Sequence, residues 1–169
     1  MISLKINNTK AFMNQMLLQN TFDSFLVKEA SIETFYSIII DGRRKKDFYT
    51  LEELEELEGN SSLPEHITWA ECKALCLEMI KGKKIPLSFH FVLKLSPKNT
   101  EKTISATDTT LTPLDVSGLY LNISFENGSV TVITGTSLNA FTMDKSLDHA
   151  WDEMIKKFLT KNNLDYDLA

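Results

Sequence analysis

Apolar residues alternate with polar residues in several stretches of the chain. The longest unbroken alternation runs from Leu87 to Leu95, where every second side chain is apolar. A period of two is typical of a strand that buries one face. The same pattern predicts a short strand over Ile2–Ile6 and one or two strands over Leu26–Ile40.

Two β-hairpins are predicted. In the first, apolar alternation at residues 119–125 and 130–134 flanks Asn127-Gly128, a dipeptide that favours the tight turn between antiparallel strands. In the second, Asp41-Gly42 is the turn signal. Lys46–Tyr49 is then predicted to return as the other arm.

Helical signals separate the strands. We expect Thr9 to cap a first helix, because a threonine hydroxyl accepts a hydrogen bond from the first turn. Thr50 with Glu53, and Thr68 with Glu71, have the spacing of capping boxes. They predict two further helices.

The last predicted helix begins after Asp144 and carries a broad apolar stripe over Leu147–Leu159. A polar loop is predicted at residues 60–64. Ser96-Pro97 could open a weak helix, with proline in its favoured first position, but the threonine-rich stretch to Thr112 supports it poorly. The sequence leaves helix, strand and loop open for residues 96–117.

Hairpins combined with clustered helices favour an α+β fold over a doubly wound parallel one. We therefore predict a mainly antiparallel sheet of about six strands packed against three to five helices, including a long amphipathic C-terminal helix. A chain of 169 residues fits a single domain spanning residues 1–169.

The charges lie in blocks. The net charge is −5 and the isoelectric point is near 5.2, a balance that makes nucleic acid an unlikely partner. Residues 50–71 carry a net charge of −7, whereas residues 72–102 carry +5. A local basic surface is therefore compatible with the acidic whole.

The sequence predicts a soluble protein of the cytoplasm. Met1–Ile6 lacks the basic start and long apolar stretch of a signal peptide, and the apolar run Ile38–Ile40 is far too short to span a membrane. Cys72 and Cys76 lie four residues apart in one predicted helix, a spacing that does not favour a disulfide. Free thiols are typical of a reducing compartment.

Candidate metal ligands are scattered along the chain. Cys72 and Cys76 lie on the apolar stripe of their helix and lack the usual spacing of a zinc site. Carboxylates in predicted turns and caps are candidates for the metal site of a hydrolase, if they converge in space: Asp41, Asp108, Asp115 and Asp144. No nucleophile motif is recognisable. The sequence thus predicts no catalytic residue, no metal site and no cofactor.

Thr134, Gly135, Thr136 and Ser137 follow a predicted strand and precede the last helix. Backbone amides and hydroxyls in such a connection can bind an anion. No lysine occupies the position that it has in a phosphate-binding loop. We retain these four residues as a candidate ligand site, with a plain polar loop as the alternative.

Arg43, Arg44, Lys45 and Lys46 form the densest basic run, at the tip of the second predicted hairpin. Lys81, Lys83 and Lys84 form a second basic group. Either group could contact phosphates or an acidic protein surface. Charged hairpin tips also serve solubility and block pairing of sheet edges.

Six segments spread over nearly the full length form a further pattern: Met1–Ile6, Lys46–Tyr49, Pro86–Phe89, Asn122–Gly128, Thr134–Ser137 and Phe141–Leu147. Together they resemble an uncharacterised bacterial family of unknown function from Gram-positive anaerobes. The resemblance implies a small, stand-alone bacterial protein. It implies no activity, ligand or catalytic residue.

The function that the sequence favours is a non-catalytic intracellular module that binds a protein or a small ligand, with a homodimer among the partners considered. The first alternative is a metal-dependent hydrolase that uses turn aspartates. The second is a nucleic-acid accessory protein that acts through the basic hairpin. Several polar side chains converging in one deep pocket would favour the enzyme.

Overall fold

A computed structural model describes residues 1–59 and 62–169. One sheet of seven strands runs through these residues, and every neighbouring pair of strands is antiparallel. The strand order is β3-β2-β4-β5-β6-β1-β7. The strands are β1 Ser3–Ile6, β2 Leu26–Glu33, β3 Ser37–Asp41, β4 Ser88–Lys94, β5 Val116–Glu126, β6 Ser129–Leu138 and β7 Tyr166–Leu168.

Five α-helices lie within the described residues, and the α+β class is confirmed with seven strands in place of about six. The helices are α1 Thr9–Leu17, α2 Leu51–Glu58, α3 Trp69–Ile80, α4 Pro97–Ser105 and α5 Ser146–Lys161. Helix α3 packs on β2, α5 packs on β6, and α1 packs against α3. None of the helices in the described ranges is long and apolar enough to cross a membrane.

The alternating pattern of β4 explains why only one face of the sheet is packed. Phe89, Phe91 and Leu93 are buried, whereas the intervening His90 and Val92 are partly exposed. Because side chains alternate between the two faces of a strand, the buried set meets the helices. The Phe89 and Phe125 rings stack across β4 and β5 with their centroids 5.0 Å apart.

The turn between β5 and β6 was predicted correctly. Asn127 and Gly128 both have positive φ, 51° and 78°, as the favoured two-residue hairpin turn requires. The long ladder that follows pairs Glu126 with Ser129 at one end and Val116 with Leu138 at the other.

Helix α5 has moderate length, 16 residues, and is followed by β7. Its stripe buries Trp151 completely, and the indole nitrogen donates to the Tyr120 carbonyl oxygen at 2.9 Å. Asp144 precedes the helix and accepts hydrogen bonds from the Ser146 amide and hydroxyl. The amphipathic C-terminal helix is therefore confirmed, although β7 is the last element of the chain.

The first predicted cap was wrong by one residue, since Asn8 accepts from the Ala11 amide and Thr9 is already helical. Residues 97–105, which the sequence left open, form α4 with Ser96 as N-cap and Pro97 in the first turn. Residues 60 and 61 of the predicted polar loop lie outside the described residues.

The second predicted hairpin was wrong. Lys46–Phe48 forms a single 3₁₀ turn instead of a return strand. The Arg44 amide donates to the Glu65 carbonyl oxygen, and the Ile67 amide donates to the Gly42 carbonyl oxygen. Residues distant in sequence thus supply the backbone partners that a hairpin arm would have supplied.

Thr134–Ser137 do not form a loop. All four residues lie in β6, where Thr134 pairs with Leu121 and Ser137 pairs with Gly118. The strand continues this far because β5 extends over 11 residues and offers a partner at each position. The polar composition of Thr134–Ser137 is typical of a loop between a strand and a helix, which is why the sequence did not predict this part of β6.

Candidate functional site

The predicted basic patch is not one surface. The side chains of Arg43 and Lys45 are 63% and 67% exposed, but that of Arg44 is only 4% exposed. Arg43, Lys45 and Lys46 each lie within 4 Å of a carboxylate. The local field of the run is therefore largely offset by neighbouring acidic groups.

Arg44 is a structural residue. Its guanidinium donates to both carboxylate oxygens of Glu71 at 3.1 and 2.8 Å and to the Tyr49 hydroxyl at 3.0 Å. Glu71 also accepts from the Thr68 amide at 2.8 Å, which completes the capping box of α3. The hydrogen bonds from Arg44 hold the pKa of Glu71 below its usual value, and the same pair raises the pKa of Arg44. Arg44 thus ties the start of α3 to the segment that follows β3.

The candidate ligand site at Thr134–Ser137 is partly occupied by the protein itself. The Thr134 hydroxyl is buried and donates to Asp152 of α5 at 2.5 Å, and the Thr136 hydroxyl donates to Asp148. Burial acts to raise the pKa of Asp148, but hydrogen bonds from Thr136 and Lys145 outweigh it, and the pKa is lowered. Two of the three hydroxyls therefore connect β6 to α5. Ligand binding by this segment stays a prediction.

Among the described residues, no three His, Cys, Asp or Glu side chains gather as a metal site would require. Three of the aspartates predicted to lie in turns or caps, Asp41, Asp115 and Asp144, accept local hydrogen bonds, as when Asp115 accepts from the Thr112 amide and hydroxyl. The sulfurs of Cys72 and Cys76 lie 3.8 Å apart in the buried core as free thiols. The hydrogen bond to Cys72, together with burial, raises the pKa of Cys76.

The face of the sheet that carries His90 and Lys94 has two polar arrangements. Lys28 and Lys94 lie 5.2 and 5.9 Å from the centre of the Tyr120 ring. Burial raises the pKa of this tyrosine. Near the other end, His90 shares a shallow depression of about 300 Å³ with serine and glutamate side chains. Within residues 1–59 and 62–169, its imidazole forms no hydrogen bond to a serine hydroxyl, so a nucleophile and base are not assembled here.

An apolar groove of about 380 Å³ lies where the end of α3 meets α1 and the β5–β6 turn. We call it the lysine-rimmed groove, and its wall consists of Thr9, Lys10, Met13, Ile80, Lys81, Gly82, Lys84, Ile85, Pro86, Phe89, Phe125 and Gly128. Phe89 and Phe125 form a rigid stacked floor, while Ile85 is 79% exposed at the edge. The groove is thus the most apolar concave surface described here, and three cations border it.

The charges of the rim remain largely free. Lys81 pairs with Glu78 at 2.6 Å. Lys10 and Lys84 are exposed, and neither has an ion pair within the part of the chain that the structure describes. An apolar floor beside free ammonium groups suits an amphipathic ligand of negative charge.

The sequence profile of a family of unknown function, DUF5721, matches residues 15–167. The chain belongs to this family. No curated protein and no solved structure matches the chain. Membership of DUF5721 confirms the predicted relationship to an uncharacterised family, and it supplies no activity.

The sequence pattern of this DUF5721 protein indicates only part of the lysine-rimmed groove. Lys81 and Lys84 were identified as a basic group, and Phe89 and Phe125 were assigned to buried strand faces. Their proximity could not be read from the pattern, because α3 and the β5–β6 turn are distant in sequence. A signal was available in Ile85, an apolar residue directly after Lys83 and Lys84 and just before the alternating strand pattern.

Proposed function

We propose that this DUF5721 protein is a non-catalytic cytoplasmic module whose lysine-rimmed groove binds an acidic, amphipathic segment of a protein. The observation that carries the proposal is the juxtaposition of an apolar floor with the free cations Lys10 and Lys84. The free thiols Cys72 and Cys76 support a reducing compartment.

The shape of the site favours a protein segment over a small molecule. Sites for small ligands enclose most of the ligand surface, whereas this depression is an open groove between helices and a turn. An amphipathic helix can place one apolar stripe in such a groove and keep its polar side in water. The stripe would cover Met13 and Ile80, and the flanking carboxylates would face the lysines.

The two kinds of interaction have different roles. Burial of apolar surface supplies most of the binding free energy, at about 25 cal/mol per Å². The exposed lysines mainly raise the association rate and select acidic partners, and their contribution weakens with salt. We therefore expect binding that falls with ionic strength and persists in part at physiological salt.

The test is fluorescence anisotropy with a labelled, designed helical peptide that has leucines along one stripe and glutamates elsewhere. We expect a dissociation constant in the range of about 10–100 µM, as for a small interface. The variant Lys10→Glu/Lys84→Glu should weaken binding by about tenfold or more, which corresponds to about 1.4 kcal/mol. A peptide with lysines in place of the glutamates should not bind.

Lys98→Glu/Lys161→Glu is the matched control, because it makes the same change in net charge at two exposed lysines outside the groove. It should bind the acidic peptide nearly as well as the unmodified protein does. Equal loss of binding in both variants, or no binding by the unmodified protein, would refute the proposed function.

A further inference from the structure

Helix α2 has an apolar stripe that the described residues of its own chain leave largely exposed. None of its residues is buried, and Leu51 and Leu57 are 80% and 50% exposed. Leu51, Leu54 and Leu57 recur every third residue, which places them within an arc of about 120° on an α-helix. A capping box of Thr50 and Glu53 nonetheless fixes the start of the helix.

The polar side of the same helix is strongly acidic. Five of its eight residues are glutamates, and the helix contains no basic residue. Lys46 pairs with Glu58 at 3.2 Å. Within the described residues, Glu52 and Glu55 have no such partner. Helix α2 therefore has the chemistry that suits the lysine-rimmed groove.

Helix α2 does not line the groove of its own chain. The segment before α2 is anchored at the start of α3 through Arg44 and Glu71, whereas Ile80 at the end of α3 lines the groove. Glu71 and Ile80 are nine positions apart in α3, so these two points are about 14 Å apart along its axis. The acidic helix and the groove of one chain are therefore separate surfaces.

We propose that the occupant of the lysine-rimmed groove is α2 of a second copy of this chain. This inference rests on the proposed function and names its partner. The leucine stripe of α2 lies on Phe89 and Phe125, and Glu55 faces the lysine rim. Charge complementarity selects this pairing, since α2 carries five glutamates and no basic residue and Lys10, Lys81 and Lys84 border the groove.

The contact is small, and this determines its strength. A helix of eight residues buries far less than the roughly 1,200–2,000 Å² of a stable interface. Self-association should therefore be weak and strongly dependent on protein concentration and salt. Because the contact joins two different surfaces, copies assemble head to tail unless two chains exchange their helices reciprocally.

Sedimentation equilibrium of the full chain tests the proposal. From about 10 to about 500 µM, a range suited to a weak contact, the average mass should rise above the 19.2 kDa of the monomer. Two variants should remain monomeric, the groove variant Lys10→Glu/Lys84→Glu and the helix variant Glu52→Lys/Glu55→Lys. The groove variant makes the rim negative like α2, and the helix variant replaces glutamates that would meet the rim by lysines.

Mixing the two variants restores one productive contact, because the unmodified α2 of one meets the unmodified groove of the other. The equimolar mixture should therefore form a one-to-one complex with twice the monomer mass. Glu101→Lys/Asp108→Lys is the control for the helix variant, since both side chains are exposed and lie outside α2. It should associate like the unmodified protein. Thermal melts verify that every variant is folded.

The outcomes separate the two proposals. A chain that stays monomeric at the highest concentration while its groove binds the designed acidic peptide would overturn the second-copy inference and leave the proposed function intact. Association that both variants retain would also overturn the inference. Failure of both peptide binding and self-association would overturn the groove function itself.

Discussion

Arg44 offers the sharpest test of how the structure uses its basic run. We expect Arg44→Met to destabilise the protein markedly, whereas Arg43→Ala should have almost no effect. Methionine keeps much of the buried volume of the arginine stem but removes its hydrogen bonds. Arg43 and Arg44 are adjacent in sequence, yet their side chains are 63% and 4% exposed, so the pair forms a matched comparison.

The magnitude follows from the contacts of the guanidinium. Arg44 donates to Glu71, to the Tyr49 hydroxyl and to the Pro64 carbonyl oxygen. Hydrogen bonds to charged groups contribute about 1.5–3 kcal/mol each when well buried. Glu71 is 45% exposed and regains water when Arg44 is removed, so we discount its share. We therefore expect Arg44→Met to lower the free energy of unfolding by about 2 kcal/mol. For a chain of this size, that corresponds to a fall of about 4–8 °C in melting temperature.

The loss should also depend on pH. Arg44 lowers the folded-state pKa of Glu71 from its usual 4.5, so the pair stabilises the folded state above that value. This stabilisation disappears as the pH falls through the folded-state pKa. The difference between Arg44→Met and the unmodified protein should therefore be full at pH 7 and should shrink below about pH 4.

Urea unfolding monitored by circular dichroism at pH 7 and pH 3.5 measures both effects. The cycle of Arg44→Met, Glu71→Gln and the double variant isolates the pair itself. A loss no larger than that of Arg43→Ala, or one that is the same at both pH values, would refute this account of Arg44.

Four further predictions concern the core, the close backbone approach at Gly42, the thiols and nucleic-acid binding. Trp151→Ala should cost about 3–5 kcal/mol as a large cavity mutation, and thermal melts measure it; a negligible shift would contradict the packing. Gly42→Ala should cost at least about 3 kcal/mol, since a Cβ there would lie 1.7 Å from a backbone oxygen of β2, and near-normal stability would contradict this close approach. Cys72 and Cys76 should react slowly with a thiol reagent in the native protein and rapidly in urea, and the purified protein should carry no zinc. Nucleic acid titrated at physiological salt should bind weakly, and replacing Arg43, Lys45 and Lys46 by alanine, with the structural Arg44 retained, should not alter that binding; tight binding lost in the variant would favour the nucleic-acid alternative.

Local periodicity alone determined much of the fold. Residues 89–95 alternate so regularly that β4 and its buried face follow from the sequence, because a period of two can bury one face only in an extended chain. The same holds for α5, whose apolar stripe has the helical period. The Asn127-Gly128 turn follows from backbone sterics, since Gly128 adopts positive φ without strain.

Elements that depend on a distant partner could not be predicted from local sequence patterns. Strand β7 has three residues and forms only because β1 presents a free edge to it. Thr134–Ser137 look like a loop, and the length of β5 makes them a strand. The sequence after Arg43 predicts a hairpin arm. In the structure, the Glu65 carbonyl oxygen accepts the hydrogen bond of the Arg44 amide instead.

The candidate site shows the same division. The sequence identified the basic group of Lys81, Lys83 and Lys84 and predicted a helix after Thr50 within an acidic block, because composition and spacing are local properties. Only the tertiary structure placed Lys10 beside Lys84 over Phe89 and Phe125, and only it left the stripe of α2 uncovered. Periodicity reports which face of an element avoids water, and the packing of distant segments decides which of those faces the folded chain covers.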